Sequence, residues 1–122
     1  MTFTNKEIYQ YAMALNNAFA DNTQSLPVKI NFYLMKNKNE MVSRGMEIEE
    51  ARMAIIQKYG VLVPDGSQYS IPTEMIAIAQ HDLDELFNIT QDVNIYKVKI
   101  DDFRDDDMLT MEQMEAMMFM VE

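Results

Sequence analysis

The sequence predicts an α+β domain, mostly helical, with about four helices, one of them long, and a small two- or three-stranded antiparallel sheet. Three observations predict it. Capping-box pairs open helices near both ends of the chain. Leu34, Met41, Ile48 and Ile55 recur every seven residues between Pro27 and Gly60. Short runs of β-branched and aromatic residues flank a Pro-Asp-Gly turn.

The first helix starts at Thr4, which pairs with Glu7 as a capping box, while Phe3 and Ile8 fit the hydrophobic staple around it. Ile8, Tyr11, Ala12, Leu15, Ala18 and Phe19 form its apolar stripe, and Asp21-Asn22 ends it. The second helix begins at Ser25-Leu26-Pro27, where proline suits the first turn, and can run to Tyr59 before Gly60. About 33 residues at ~1.5 Å each make a rod of ~50 Å. The d-like positions Asn37, Arg44 and Lys58 are polar, which argues against a coiled-coil seam. Lys36, Glu40 and Arg44 are helix-spaced ion-pair partners. Gly45 is the weak point, a place for a kink or a break, because glycine within a helix costs up to ~1 kcal/mol relative to alanine.

Val61-Leu62-Val63, the turn Pro64 to Ser67, and Gln68 to Ile71 read as a hairpin. A hairpin alone is marginal, so it should pack on helices or gain a third strand. Val93 to Ile100 is the candidate third strand, with a bulge near Tyr96 or burial of both faces at one end. Between them a third helix spans Thr73 to Asn88, with Ile76, Ala79, Leu83, Leu86 and Phe87 on its apolar face. Thr110 and Gln113 cap the last helix, with Leu109 and Met114 as its staple. Met114, Met117, Met118 and Val121 are its expected stripe, and Phe119 and Met120 fall outside it. The expected core is Ile8, Leu15, Phe19, Leu34, Met41, Ile48, Ile55, Ile76, Leu83, Leu86, Val93, Ile95, Met114 and Met118.

Composition narrows the function. At 122 residues the chain is read as a single domain, 1–122. With no cysteine it has no disulfide, thiolate metal site or thiol nucleophile. Met1 to Glu7 leads straight into an amphipathic pattern, so no secretory signal is expected, and no apolar run reaches the ~20 residues of a membrane span. The net charge of −10 is uneven. Residues 1–60 carry seven Lys+Arg against six Asp+Glu, whereas residues 61–122 carry three against fourteen. Nucleic acid and anionic membranes are therefore poor direct partners, and a basic protein surface is a better one.

Catalytic chemistry finds little support. The lone histidine, His81, has no second histidine with which to build a metal site. Gly45, Gly60 and Gly66 are too scattered for a phosphate loop. Asp82, Asp84 and Glu85 are the candidates for a paired-carboxylate hydrolase, which needs carboxyls about 5–9.5 Å apart in a cleft. The acidic run from Asp101 to Asp107 fails the EF-hand pattern: position three from Asp101 is Phe103, and no glycine follows. No catalytic residue, cofactor or metal is expected, and the chain reads as a non-enzymatic binding protein.

Two segments carry the binding expectation. Asp101, Asp102, Asp105, Asp106 and Asp107 are either a solvated connector or a contact for a partner's lysines and arginines. Of the thirteen methionines, six fall between Met108 and Met120, and flexible methionine surfaces suit adaptable interfaces. Met117, Phe119 and Met120 are the partner-contact candidates there, although core packing also suits Met114, Met117 and Met118.

Four segments together carry a resemblance: Leu26-Pro27-Val28-Lys29 leading into Lys36-Asn37; Glu49-Glu50-Ala51-Arg52 leading to Lys58-Tyr59-Gly60; Val93-Asn94-Ile95-Tyr96; and Leu109-Thr110-Met111-Glu112 to Phe119-Met120-Val121-Glu122. From about residue 4 onward the chain resembles a widespread family of short phage and prophage proteins with no established activity. The resemblance implies a viral context, an α+β layout, and a place in the cytoplasm of a bacterial host or on a virion. Two roles follow. One is a structural or assembly component that self-associates as a homo-oligomer or joins a phage complex. The other is an acidic anti-defence inhibitor that binds a host protein, occupying a basic nucleic-acid-binding surface.

Overall fold

In the computed structural model, residues 1–20, 26–104 and 109–122 are described. Strand β1 (Thr2–Thr4) runs directly into helix α1 (Asn5–Ala18), followed by the long helix α2 (Val28–Tyr59). A hairpin of β2 (Val61–Leu62) and β3 (Tyr69–Ser70) leads through a 3-10 turn at Thr73–Met75 into α3 (Ile76–Asn88). Strand β4 (Thr90–Asp92) comes next, and α4 (Met111–Met117) tightens into a 3-10 turn at Met118–Met120. The fold is α+β and mostly helical, with four α-helices, one of them long, and two small antiparallel sheets among the described residues.

The caps stand where the sequence places them. The Thr4 hydroxyl accepts from the Glu7 amide while the Glu7 carboxylate accepts from the Thr4 amide. Thr110 and Gln113 repeat the arrangement at α4. Gly66, at φ 76°, supplies the left-handed turn residue of the hairpin. Helix α2 does not break at Gly45 but continues for 32 residues. Gly45 serves packing instead: a Cβ there would lie 2.8 Å from the Ala12 Cβ, so its hydrogen lets α1 approach closely.

The sheets depart from the expected pairing. β1 pairs with β4, Thr2 to Asp92 and Thr4 to Thr90, joining the start of the chain to a segment about ninety residues later. The hairpin pairs Val61 with Ser70 and Leu62 with Tyr69 and takes no third strand among the described residues. Residues 93–100 are not that strand. Within them only Val98 forms a bridge, a parallel one to Val121. Fully buried Asn37 holds this stretch to α2: its Nδ2 donates to the Tyr96 carbonyl at 2.9 Å and its Oδ1 accepts from the Tyr96 amide at 2.8 Å. One side-chain amide does the work of a strand partner, and so a polar residue occupies a core position of the heptad.

Helix α1 is the hub against which α2, α3 and α4 pack. The core gathers Phe3, Ile8, Leu15, Phe19, Ile30, Leu34, Met41, Ile48, Val93, Val98, Met117 and Met120. Ile8, Leu15, Phe19, Leu34, Met41, Ile48 and Val93 are buried as expected, and Leu86 and Ile95 pack partly buried against them. Ile55 and Leu83 are only half-buried, and Ile76, Met114 and Met118 are exposed, so these five are not core residues. A part-buried polar chain ties the layers together. Asn5 donates to the Leu86 carbonyl, Gln91 to Asn5 Oδ1, and Arg44 to both Gln91 and Glu40.

Candidate functional site

The methionine-rich end is built from two choices made by the sequence. Gln113 turns inward, its Nε2 donating to the Ala18 carbonyl at the end of α1. That bond fixes the rotation of α4, so the buried face is Gln113, Ala116, Met117 and Met120. The expected stripe of Met114, Met117, Met118 and Val121 is thus one residue out of register. The switch from α to 3-10 geometry after Met117 then turns the following side chains further round than α periodicity would.

The consequences for the contact candidates are direct. Met117, Phe119 and Met120 are buried in the chain's own core, and of the three only Met117 also reaches the groove described below. Phe119 packs against Tyr11, the rings tilted by 39° at 4.7 Å between centroids, and meets Phe3 edge-on at 6.3 Å. Met120 is fully buried and its sulfur accepts from Asn37. The outward face is Met111, Met114 and Met118, with Met114 49% and Met118 63% exposed.

That face borders a groove of about 510 Å³ lined chiefly by Ile100, Phe103, Leu109, Met114, Met118 and Val121, with the Met117 side chain at its base and Arg104 and Glu122 at its polar edges. Ile100, on the 3-10 turn at Ile100–Asp102, is 70% exposed. Of the acidic candidates, Asp101 is exposed beside this groove's Ile100, and Asp102 folds back. Its carboxylate accepts from the Lys99 amide at 2.9 Å and pairs with Lys29 at 3.4 Å, and these contacts hold its pKa below the usual carboxylate value. Asp105, Asp106 and Asp107 lie outside the described residues. By sequence they connect Arg104 to Leu109, both of which line the groove.

No family model matches this chain, and no curated protein or solved structure is significantly similar to it. The groove must therefore be read from its own chemistry.

Other titratable groups are engaged in the fold. Asp82 accepts from the Tyr59 hydroxyl, which lowers its pKa, and Asp84 accepts from Gln80. Ligand atoms of His81, Asp82 and Glu85 lie within 4.8 Å of one another on the outside of α3. None of Asp82, Asp84 and Glu85 lines the methionine groove or the smaller groove of about 170 Å³ between α1 and α2. At the edge of that smaller groove Glu49 accepts from the Tyr9 hydroxyl at 2.7 Å and from Arg52 at 2.7 and 2.9 Å. Arg52 and Tyr9 together hold the Glu49 carboxyl down to about 2, and the Tyr9 phenol is raised in return. No helix among the described residues is long and apolar enough to cross a membrane.

Proposed function

We propose that this protein is a non-enzymatic, phage-derived protein-binding module whose methionine-lined groove takes an apolar segment of a basic protein partner. The observation that carries the proposal is an open apolar groove built in the stretch of sequence richest in carboxylates. Residues 101–122 contain eight Asp+Glu against Arg104 alone, a balance of −7. The groove has room for a few large apolar side chains, and unbranched thioethers adapt to the shape of what docks. An amphipathic helix fits such a place, setting its apolar face in the groove and its lysines and arginines over the carboxylates. The field also speeds encounter with a positive partner and repels nucleic acid.

The experiment is a titration of a fluorescent amphipathic Lys/Leu helical peptide, with a Glu/Leu peptide of the same pattern as control. The basic peptide binds, the acidic one does not, and Met118→Asp weakens binding about thirtyfold, equivalent to ~2 kcal/mol. Equal affinity for the two peptides, or no effect of Met118→Asp, removes the groove from the account. The same chemistry serves an assembly role and an anti-defence role. The −7 balance favours the second where the partner's basic surface is one that otherwise holds nucleic acid. Competition by duplex DNA for the bound partner then separates the two roles.

A further inference from the structure

The first three turns of α2 have the character that the methionine groove calls for. Residues 28–39 hold Lys29, Lys36 and Lys38 and no Asp or Glu, a balance of +3 in a chain of −10. The next acid, Glu40, is matched by Arg44 at 2.6 Å. On the outside of these turns Val28, Phe32 and Met35, at positions i, i+4 and i+7, make an apolar ridge ~10 Å long. They are 84%, 48% and 49% exposed. Lys29 and Lys36 run along one flank of the ridge. The Lys36 ammonium stands 5.5 Å from the centre of the Phe32 ring, and the Lys29 ammonium 5.8 Å from that of Tyr33.

We propose that the groove of one copy takes the α2 ridge of a second copy, in a two-fold dimer where each ridge lies in the other's groove. The inference rests on the reading of the groove given above and names its occupant. Charge favours the pairing, because the +3 of residues 28–39 meets the −7 of residues 101–122. So does chemistry: the ridge is the apolar face of an amphipathic helix with lysines beside it, and Ile100, Phe103, Met114 and Met118 give it an apolar seat. Placement then selects a closed pair. Ridge and groove adjoin, since Lys29 beside the ridge reaches Asp102, which stands between Ile100 and Phe103 of the groove wall, at 3.4 Å. Two adjoining and complementary faces satisfy each other across a two-fold axis, burying both in each copy at once.

The test is analytical ultracentrifugation of the full chain over a range of concentrations. The wild type sediments at twice the 14.2 kDa chain mass. Phe32→Asp on the ridge and Met118→Asp in the groove each halve that mass while helical circular dichroism is unchanged. Mixed together, these two monomeric variants form a dimer again, because the intact groove of the first takes the intact ridge of the second. Lys36→Glu, a milder change at an exposed position, raises the dissociation constant about tenfold. Leu62→Asp, on the hairpin beyond the other end of α2, leaves the dimer intact. A monomeric wild type overturns the proposal, as do ridge and groove variants that stay monomeric when mixed, or a dimer that survives both. The basic Lys/Leu peptide separates this outcome from that of the groove itself. A monomeric wild type that binds the peptide keeps the groove and loses the second copy as its occupant, whereas a monomer that also ignores the peptide loses both.

Discussion

Asn37 shows how much one side chain can carry. It is fully buried on α2 and satisfies both backbone groups of Tyr96. Asn37→Ala removes both part-buried bonds to the Tyr96 backbone, each worth about 0.5–1.5 kcal/mol net, so the variant should lose about 2 kcal/mol in urea unfolding. A loss well under 1 kcal/mol would mean that the clamp is dispensable. Glu49 gives a pH-dependent prediction. Its folded pKa of about 2 lies below the ordinary 4.5, so its contribution is fully present above pH ~4.5 and is lost as pH falls through the folded value. Glu49→Gln should flatten the stability profile between about pH 4.5 and 2 relative to wild type. An unchanged slope would show that Tyr9 and Arg52 do not stabilise the charged form. Asn37 and Gln113 also explain what could not be read from the sequence at this scale. Polar residues are assigned to the surface by default, yet both point inward because each meets backbone groups supplied by distant segments.

At the scale of elements, the boundaries were legible and the pairings were not. Capping boxes are local, so Thr4 and Thr110 announced their helices, and Pro27 and Gly60 bracketed the long one within a residue. The hairpin likewise followed from Pro64-Asp65-Gly66. Strand β1 was hidden because Thr2–Thr4 also serves as the lead-in to α1, and its partner lies some ninety residues away. Residues 93–100 have strand composition but are held by Asn37 and by the Val98–Val121 bridge. Gly45 reads in the sequence as a weakness, but its missing Cβ makes room for Ala12 of α1. Gly45→Ala gains up to ~1 kcal/mol of helix propensity but overpacks against Ala12, at ~1–3 kcal/mol. The net expectation is destabilisation by about 1 kcal/mol. Combining it with Ala12→Gly should cost less than the sum of the two single changes, with a coupling of about 1 kcal/mol in a double-mutant cycle. Strict additivity would place the two residues out of contact.

For the whole molecule, the asymmetry of charge motivates the basic partner proposed above, but does not say which surface is open to it. The expected contacts Met117, Phe119 and Met120 complete the core, and the one-residue rotation of α4 puts Met111, Met114 and Met118 outside. The net charge of −7 over residues 101–122 predicts a binding rate that depends on salt. Raising ionic strength should slow association with the basic peptide while dissociation changes little, because long-range attraction acts before contact. A rate insensitive to salt would leave the carboxylates as a solvated surround. The most direct measurement is NMR of the protein with ¹³C-labelled methionine methyl groups during titration with the basic amphipathic peptide. The expectation is that the methyls of Met114 and Met118, which line the groove, shift, and that those of Met13, Met41 and Met46 stay in place. Shifts confined to Met13 and Met46, which line the groove between α1 and α2, or no shift in any methyl, would contradict it.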